Sequence, residues 1–330
     1  MNFFPISRLK TGIEISSDKI ISALILEKGK KFSIKKLSDI KIPPGTIKPS
    51  FKKENIINAE ALHDCLKKAC YDMNLKKISV ALPDSSVKVL IKKFTQLPED
   101  PQEINEMVLW NFSSSLDLPV KQLRVSWENM GKSPDNHHIF LIVLGLEKVM
   151  VQYENAFKKI GISPVMLAPS GLNQFNFYCE SLPEKGNVAY LGLFDDFLNI
   201  FVFSNGIPIF YKMIKKGLLG NDGASAINNV DFLIQYYNSE NPDLDIEKFF
   251  IASHIKSDML MEHILQDVSQ IGSHIKSDML MEHILQDGNP IDCTIIDERQ
   301  LIDFDKKFKI DFKNNPLPFY TTALGAAQGL

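Results

Sequence analysis

The sequence has few features of secreted, membrane-spanning or nucleic-acid-binding proteins. It contains only 4 cysteines in 330 residues, too few for a disulfide framework. Its longest apolar run, at 139–146, is of strand length and far short of the roughly 18 residues of a spanning helix. Lysine and arginine number 37 against 40 aspartates and glutamates, so no basic excess indicates nucleic acid. We therefore expect a cytoplasmic, mixed α/β protein.

The sequence also lacks the residue patterns of a metal or catalytic centre. Cys65 and Cys70 are five residues apart on a predicted helix and point in different directions. Four histidines in two identical segments are nine apart within each segment, which does not converge on a metal and indicates solvated helix residues: His254, His263, His274 and His283. No Ser-His-Asp, Walker or zinc arrangement is present. We expect neither a metal site nor a catalytic residue.

The order of predicted strands and helices occurs twice, which indicates two related lobes. Length alone favours about two domains. The first copy has strands at 12–15, 19–26, 31–42 and 78–82 and a helix at 58–73 that Asn58 caps. The second has strands at 187–193, 199–203, 207–213 and 248–251, a helix at 224–237 and a final strand at 293–296.

A smaller α+β unit interrupts the first lobe. Strands are predicted at 87–94, 123–129 and 138–144, and helices at 101–112 and 147–160. We interpret Ser113–Ser115 as a linker after the first of these helices, and His137 and His138 as a loop. A further helix is predicted at 172–179.

A 15-residue segment at 253–267 recurs letter for letter at 273–287. One repeated pair is too few for a solenoid, which needs about three units. The identity indicates a recent duplication or an artefact of cloning. Either copy can form one amphipathic helix on the second lobe, so the other is an extra helix, either neutral or able to mediate self-association.

Four segments resemble the PilM family of type IV pilus assembly proteins, in the FtsA/PilM branch of the actin-like ATPase superfamily. They are Gly-Ile-Glu-Ile-Ser-Ser-Asp-Lys-Ile at 12–20, Val-Ala-Leu-Pro-Asp-Ser-Ser-Val-Lys at 80–88, Gln-Leu-Pro with a Trp-containing helix and Leu-Pro-Val at 96–120, and Gly-Ile-Pro-Ile-Phe at 206–210. The closing segment at 323–330 resembles the family's last helix. The order and spacing of these segments carry the resemblance.

This resemblance implies an α/β, actin-like two-lobed fold with duplicated βββαβα lobes and a small α+β subdomain inserted in lobe I. Lobe I would comprise 1–170 and 316–330, with the insertion at about 84–160. Lobe II would comprise 171–315.

The resemblance also implies a nucleotide site, but the matching residues depart from the family pattern. Actin-like proteins hold ATP between the lobes with two hairpin loops of small residues and an aspartate that organises magnesium. Here Glu14 and Ser16 replace the first loop's Asp and Gly, and Phe194 stands where the second loop has Gly. We therefore expect a vestigial site and no cofactor, with ATP and Mg as the alternative. Any remaining contacts would come from Glu14, Ser16, Ser17, Asp18, Asp195, Asp196 and Ser253.

By the same resemblance, we expect a non-enzymatic scaffold at the cytoplasmic face of the inner membrane. Its partner would be the N-terminal peptide of a PilN-like bitopic membrane protein, and its membrane association would be indirect. The peptide groove would lie between lobe I and the insertion, lined by Val80, Leu82, Val87, Val89, Leu109 and Trp110. A core role for the Trp110 helix, a functional actin-fold ATPase or phosphotransferase and a GspL-like cytoplasmic domain remain alternatives.

Overall fold

The computed structural model describes residues 8–28, 31–73, 77–194, 196–215, 223–242, 244–253, 292–296, 301–304 and 317–329. Within these ranges lie fourteen strands and six α-helices. The strands are β1 Arg8–Ile15, β2 Lys19–Lys28, β3 Lys31–Lys41, β4 Ile78–Leu82, β5 Val87–Phe94, β6 Leu123–Lys132, β7 His138–Leu146, β8 Met166–Pro169, β9 Asn187–Leu193, β10 Phe197–Ser204, β11 Ile207–Lys215, β12 Lys248–Ser253, β13 Asp292–Ile295 and β14 Asp303–Phe304. The helices are α1 Ala59–Ala69, α2 Pro101–Leu116, α3 Glu147–Lys158, α4 Ser170–Tyr178, α5 Gly223–Glu240 and α6 Thr321–Gln328.

The chain divides into two compact units. Unit 1 comprises Met1–Asn129, Asn136–Glu180 and Asp297–Leu330, and unit 2 comprises Met130–Asp135 and Ser181–Ile296. The main sheet of unit 1 has the order β14-β3-β2-β1-β4-β8. Its β1, β2 and β3 are antiparallel neighbours, and β1, β4 and β8 run parallel.

The sheet of unit 2 repeats this arrangement. Its order is β11-β10-β9-β12-β13, in which β9, β10 and β11 are antiparallel neighbours and β9, β12 and β13 run parallel. Each unit thus has an antiparallel meander whose first strand pairs in parallel with the strand after a helix. The predicted duplicated α/β lobes are confirmed.

Local sequence explains the central strands and the first helix. From Lys10 onward every residue of β1 is buried, as expected for a strand that is paired on both edges and covered on both faces. In α1, the buried side chains Leu62, Cys65, Leu66 and Ala69 follow helical spacing. The Asn58 side chain accepts a hydrogen bond from the Ala61 N–H at 3.1 Å, so the predicted N-cap is confirmed.

Helix α6 packs so closely against β1 and α4 in unit 1 that each of these two contacts requires a glycine. A Cβ at Gly12 of β1 would lie 1.9 Å from the Ala323 carbonyl oxygen, and a Cβ at Gly325 would lie 1.8 Å from the Asn173 oxygen on α4. The small residues of the closing segment therefore allow α6 to lie between β1 and α4.

The inserted subdomain is a three-stranded sheet in the order β5-β7-β6, accompanied by α2 and α3. Side chains from both helices join the same hydrophobic core as the main sheet, among them Ile104, Val108, Tyr153 and Phe157. The Arg124 guanidinium on β6 donates to Glu147 and Glu154 on α3, which ties this helix to the inserted sheet.

Several boundaries differ from those predicted. Helix α2 continues to Leu116, so Ser113–Ser115 are helical rather than a linker. His138 is the first residue of β7, as the predicted strand at 138–144 has it, so the interpretation of this residue as part of a loop is wrong. Strand β8 was not predicted, because Met166–Pro169 is only four residues long. Helix α4 belongs to unit 1, which places the division after Glu180 instead of residue 170.

Some predictions fall outside the described residues. These include the repeated segments beyond Ser253, the four histidines within them, and Asp195. Among the residues that are described, no helix is both long enough and apolar enough to cross a bilayer.

Candidate functional site

The family resemblance places the first phosphate loop at the turn between β1 and β2. Hydrogen bonds within this turn join its own residues. The Ser16 hydroxyl donates to the Asp18 carboxylate at 2.7 Å and also lies 3.1 Å from the Lys19 carbonyl oxygen. The Ser16 N–H donates to that same carbonyl at 3.0 Å. The exposed turn residues Ser17 and Asp18 therefore present a carboxylate to an incoming phosphate, and like charges repel.

Glu14, which replaces the family aspartate, is only 3% exposed on β1. Gly12 contacts the middle of α6, and the Lys10 ammonium lies 3.4 Å from the Gln328 carbonyl oxygen at the helix C-terminus. Two strand residues advance about 6.6 Å, or four helical residues, so Glu14 lies level with the start of α6. A carboxylate at the positive end of a helix and an ammonium at its negative end are both stabilising. The dipole of α6 thus offers positive charge to Glu14 within unit 1.

A third carboxylate adds negative charge beside this turn. Burial raises the pKa of Asp39, and the negative charges of Asp18 and Glu14 raise it further, while Lys19 and Lys41 lower it. The end of the β1–β3 meander therefore holds three acidic side chains with two lysines among them.

The turn between β9 and β10, where the resemblance places the second phosphate loop, is filled by aromatic rings. Phe194 and Phe197 are both buried, and their rings stack with centroids 4.1 Å apart. The Phe194 N–H donates to the Phe197 carbonyl oxygen at 3.0 Å. Side chains of this size prevent the close backbone approach that a phosphate loop provides.

Two of the remaining nucleotide candidates of unit 2, Asp196 and Ser253, are among the described residues. Asp196 is exposed, and Ser253 is buried at the end of β12, where it is level with Leu193 of β9. Ser253 is therefore adjacent to the turn that the phenylalanines fill. Within the described part of the chain, no group of three or more histidine, cysteine, aspartate or glutamate side chains could hold a metal ion.

Three of the six residues predicted to line the peptide groove are core residues. Val80 and Leu82 are 0% exposed, and Val87 is buried as well. Every residue of β4 is buried, so both faces of this strand are covered and its side chains cannot contact a docked peptide. Val89 and Leu109 are half-buried, and Trp110 is exposed. The predicted groove is therefore wrong for its β4 side and for Val87.

An open cavity of about 440 Å³ does lie between the body of unit 1 and the inserted subdomain. Its walls are the start of α1, the loop before it and the last two turns of α3. The lining residues are Ile56, Ala59, Gln152, Asn155, Ala156, Lys158 and Lys159. None of the six predicted groove residues is among them.

Gln152 of α3 holds the two walls of this cavity together. Its side-chain oxygen accepts hydrogen bonds from the Asn55 N–H at 2.7 Å and the Ile56 N–H at 3.4 Å. Ile57, the residue after Ile56, is 62% exposed. The walls thus provide apolar surface, two amides and two lysines, which suits an extended peptide with apolar anchors.

Sequence patterns could not locate this cavity, because its residues come from two segments about 100 positions apart. The one available signal is Ile56-Ile57, an apolar pair in a polar stretch ahead of a helix. Such a pair is as easily interpreted as core, and one of the two isoleucines is in fact half-buried.

The two repeated sheets and the inserted subdomain define an actin-like fold. No protein-family model matches the sequence, and no curated protein matches it either. Among solved structures, the chain is similar to one in the PilM-PilN type IV pilus biogenesis complex, with a TM-score of 0.73 and 13% identity over 97% of this chain and 98% of that one. This likeness supports the PilM-like actin fold predicted from the sequence.

Two further solved structures are more distant. A protein with actin-like ATPase fold and unknown function from Bacteroides thetaiotaomicron has a TM-score of 0.49 and 9% identity, over 89% of this chain and 92% of that one. The cytoplasmic domain of EpsL, an inner membrane component of the type II secretion system of Vibrio cholerae, has a TM-score of 0.47 and 9% identity, over 79% and 94%.

Proposed function

We propose that this chain is a cytoplasmic, actin-like scaffold of a type IV pilus or type II-like secretion platform at the inner membrane. In this proposal it binds the N-terminal peptide of a PilN-like bitopic membrane protein, and that contact brings it to the membrane. The observation that carries the proposal is the cavity between α1 and α3, whose walls come from the body of unit 1 and from its inserted subdomain. The similarity in fold to the PilM-PilN complex supports the choice of partner.

The form of the cavity favours side-chain anchors over strand addition. Helices and a loop form its walls, so no free strand edge is available there for a peptide to extend. Ile56, Ala59 and Ala156 offer apolar contacts, and the amides of Gln152 and Asn155 offer hydrogen bonds to a peptide backbone. We expect the partner to insert apolar side chains next to α3.

The turns between β1 and β2 and between β9 and β10 both support a scaffold that does not hydrolyse nucleotide. One turn presents the Asp18 carboxylate, and the other is filled by Phe194 and Phe197. Glu14 is buried on β1, level with the start of α6. We propose that the ATP site implied by the resemblance is vestigial, and that the chain works through binding.

Titration with the partner's N-terminal peptide tests this function. We expect saturable binding with a dissociation constant below about 1 mM, the range in which even weak recognition is measurable. Ala156→Phe would fill the cavity and should weaken binding at least about tenfold. Ser115→Phe is the matched control, because Ser115 is exposed on α2 away from the cavity.

Two outcomes would overturn the proposal. The first is absence of binding at millimolar peptide by the folded wild-type chain. The second is equal binding by the two phenylalanine variants, which would place the peptide elsewhere. Circular dichroism of each variant shows whether it is folded before its binding is compared.

A further inference from the structure

The inserted subdomain has a second open cavity, of about 450 Å³, which the proposed peptide site does not use. Four of its lining residues lie on the first two turns of α2 and one on β6. They are Pro101, Gln102, Asn105, Glu106 and Trp127. None of these residues lines the cavity between α1 and α3, so the two sites are independent.

Both tryptophans of the chain are at or beside this cavity. Trp127 packs against Phe140, with ring centroids 5.1 Å apart, and also lines the cavity. Trp110 is one helical turn after Glu106, on the same face of α2, and is 72% exposed. An exposed tryptophan beside a concave surface, as Trp110 is here, is typical of binding sites, because it loses apolar exposure on docking.

Acidic side chains are concentrated at the start of α2, and one of them, Glu106, lines the cavity. Glu99, Asp100, Glu103 and Glu106 are all exposed, and among the described residues none of them forms an ion pair. Asp100 caps α2 and Glu103 lies in its first turn, so the helix dipole accounts for both. Glu106 lies beyond that turn and lines the cavity, so the helix dipole does not explain why an acidic residue is at this position.

We infer that this cavity binds an arginine or lysine side chain from a segment of a partner protein. The Trp127 indole provides an aromatic surface for the cation, and Glu106 provides the opposite charge. The amide oxygens of Gln102 and Asn105 can accept from the remaining N–H groups. Arginine is the better fit, because its planar guanidinium can stack on an indole and donate to a carboxylate at once.

Tryptophan fluorescence tests this inference directly, since Trp127 is the sole reporter in a Trp110→Phe variant of the full chain. The probe is an acetylated and amidated heptapeptide, Leu-Gly-Arg-Gly-Arg-Gly-Leu. Its control contains citrulline, which has the shape of arginine without the charge, at both arginine positions. We expect the arginine peptide to change Trp127 emission saturably at concentrations up to about 1 mM, and the citrulline peptide to have no effect.

Glu106→Gln, made in the same background, should weaken the arginine peptide about tenfold, because a charge-assisted hydrogen bond is lost. Glu240→Gln removes an exposed carboxylate from α5 and should leave binding unchanged. Added salt should weaken binding as well. Equal responses to the two peptides, an unchanged affinity in Glu106→Gln, or absence of any response at about 1 mM arginine peptide would each overturn the inference.

Discussion

At the scale of single residues, close packing and paired charges determine where substitutions matter. A Cβ added at Gly12 or Gly325 would overlap a backbone carbonyl oxygen. A Cβ added at Gly329, at the end of α6, would have its nearest neighbouring atom 3.6 Å away. Gly12 is therefore fixed by its packing against α6, and Gly325 by its packing against α4, whereas packing does not fix Gly329.

Gly325→Ala should lower the free energy of unfolding by at least about 2 kcal/mol, because the new Cβ forces α6 away from α4. Alanine is the better helix former, which offsets about 1 kcal/mol of the strain. Gly329→Ala on the same helix should change stability by less than about 0.5 kcal/mol. Urea unfolding of both variants measures this difference. Equal free energies of unfolding for the two variants would show that α6 can shift away from α4 without loss of stability.

A second prediction at this scale concerns Glu147, whose pKa is held below its ordinary value by the hydrogen bonds from Arg124. Arg124→Ala should raise the pKa of Glu147 toward that ordinary value, and Lys148→Ala, which removes a neighbouring cation, should have little effect. NMR titration of the glutamate side chains measures both. An unchanged pKa in Arg124→Ala would mean that the ion pair does not form in solution.

The sign of the accompanying pH effect follows from the lowered pKa. Ionised Glu147 stabilises the fold above the ordinary glutamate pKa, and this contribution is lost as the pH falls through the lowered value. The contribution is small because the side chains are partly exposed. The Arg124→Ala variant should lack this part of the acid sensitivity.

At the scale of elements, the β9–β10 hairpin is held at its turn by two stacked phenylalanines. The buried rings of Phe194 and Phe197 contribute to the stability of unit 2. The sequence alone predicted that Phe194 stands where the family has glycine, but it did not show that the Phe194 ring stacks on Phe197.

Phe194→Ala should lower the free energy of unfolding by about 3 kcal/mol, because it removes a buried ring and leaves a cavity. Phe232→Ala is the control, since Phe232 on α5 is half exposed and its loss should have a much smaller effect. Thermal or urea unfolding measures both variants. If the two lose equal stability, Phe194 is not packed as described.

Elements with strong periodicity were predictable, and those that depend on tertiary context were not. The cap at Asn58, the strands Ile78–Leu82 and Val87–Phe94 and the repeated meander follow from local pattern. Strand β8 has four residues and forms because β4 offers an edge, so no local signal marks it. The end of α2 was predicted four residues early, since serines are weak helix formers but tolerated in a packed helix.

At the scale of the whole molecule, the fold was predictable from motif order, whereas the candidate site was only partly so. The resemblance identified the two turns and their departures from a nucleotide-binding pattern. It placed the peptide groove on Val80 and Leu82, which are core residues, because alternation cannot show which strand of a sheet is covered on both faces.

From the hydrogen bonds of the β1–β2 turn and the stacked phenylalanines of the β9–β10 turn, we predict that nucleotide does not stabilise the chain. A ligand at 100 times its dissociation constant adds about 2.7 kcal/mol, which would raise the melting temperature by several degrees. We expect about 5 mM MgATP to shift melting by less than about 1 °C relative to MgCl₂ alone. A shift of several degrees that Glu14→Ala abolishes would instead support the ATPase alternative.

The central claim is that the cavity between α1 and α3 receives the N-terminal peptide of a bitopic partner. Site-specific photo-crosslinking in cells tests it most directly, with a photoreactive phenylalanine analogue at position 159, an exposed residue that lines the cavity, or, as the control, at position 115. Crosslinking of position 159 to a bitopic inner-membrane protein through its N-terminal peptide is the predicted result, with little or no product from position 115. Equal products from both positions, or a product at 159 that maps outside that peptide, would contradict the claim.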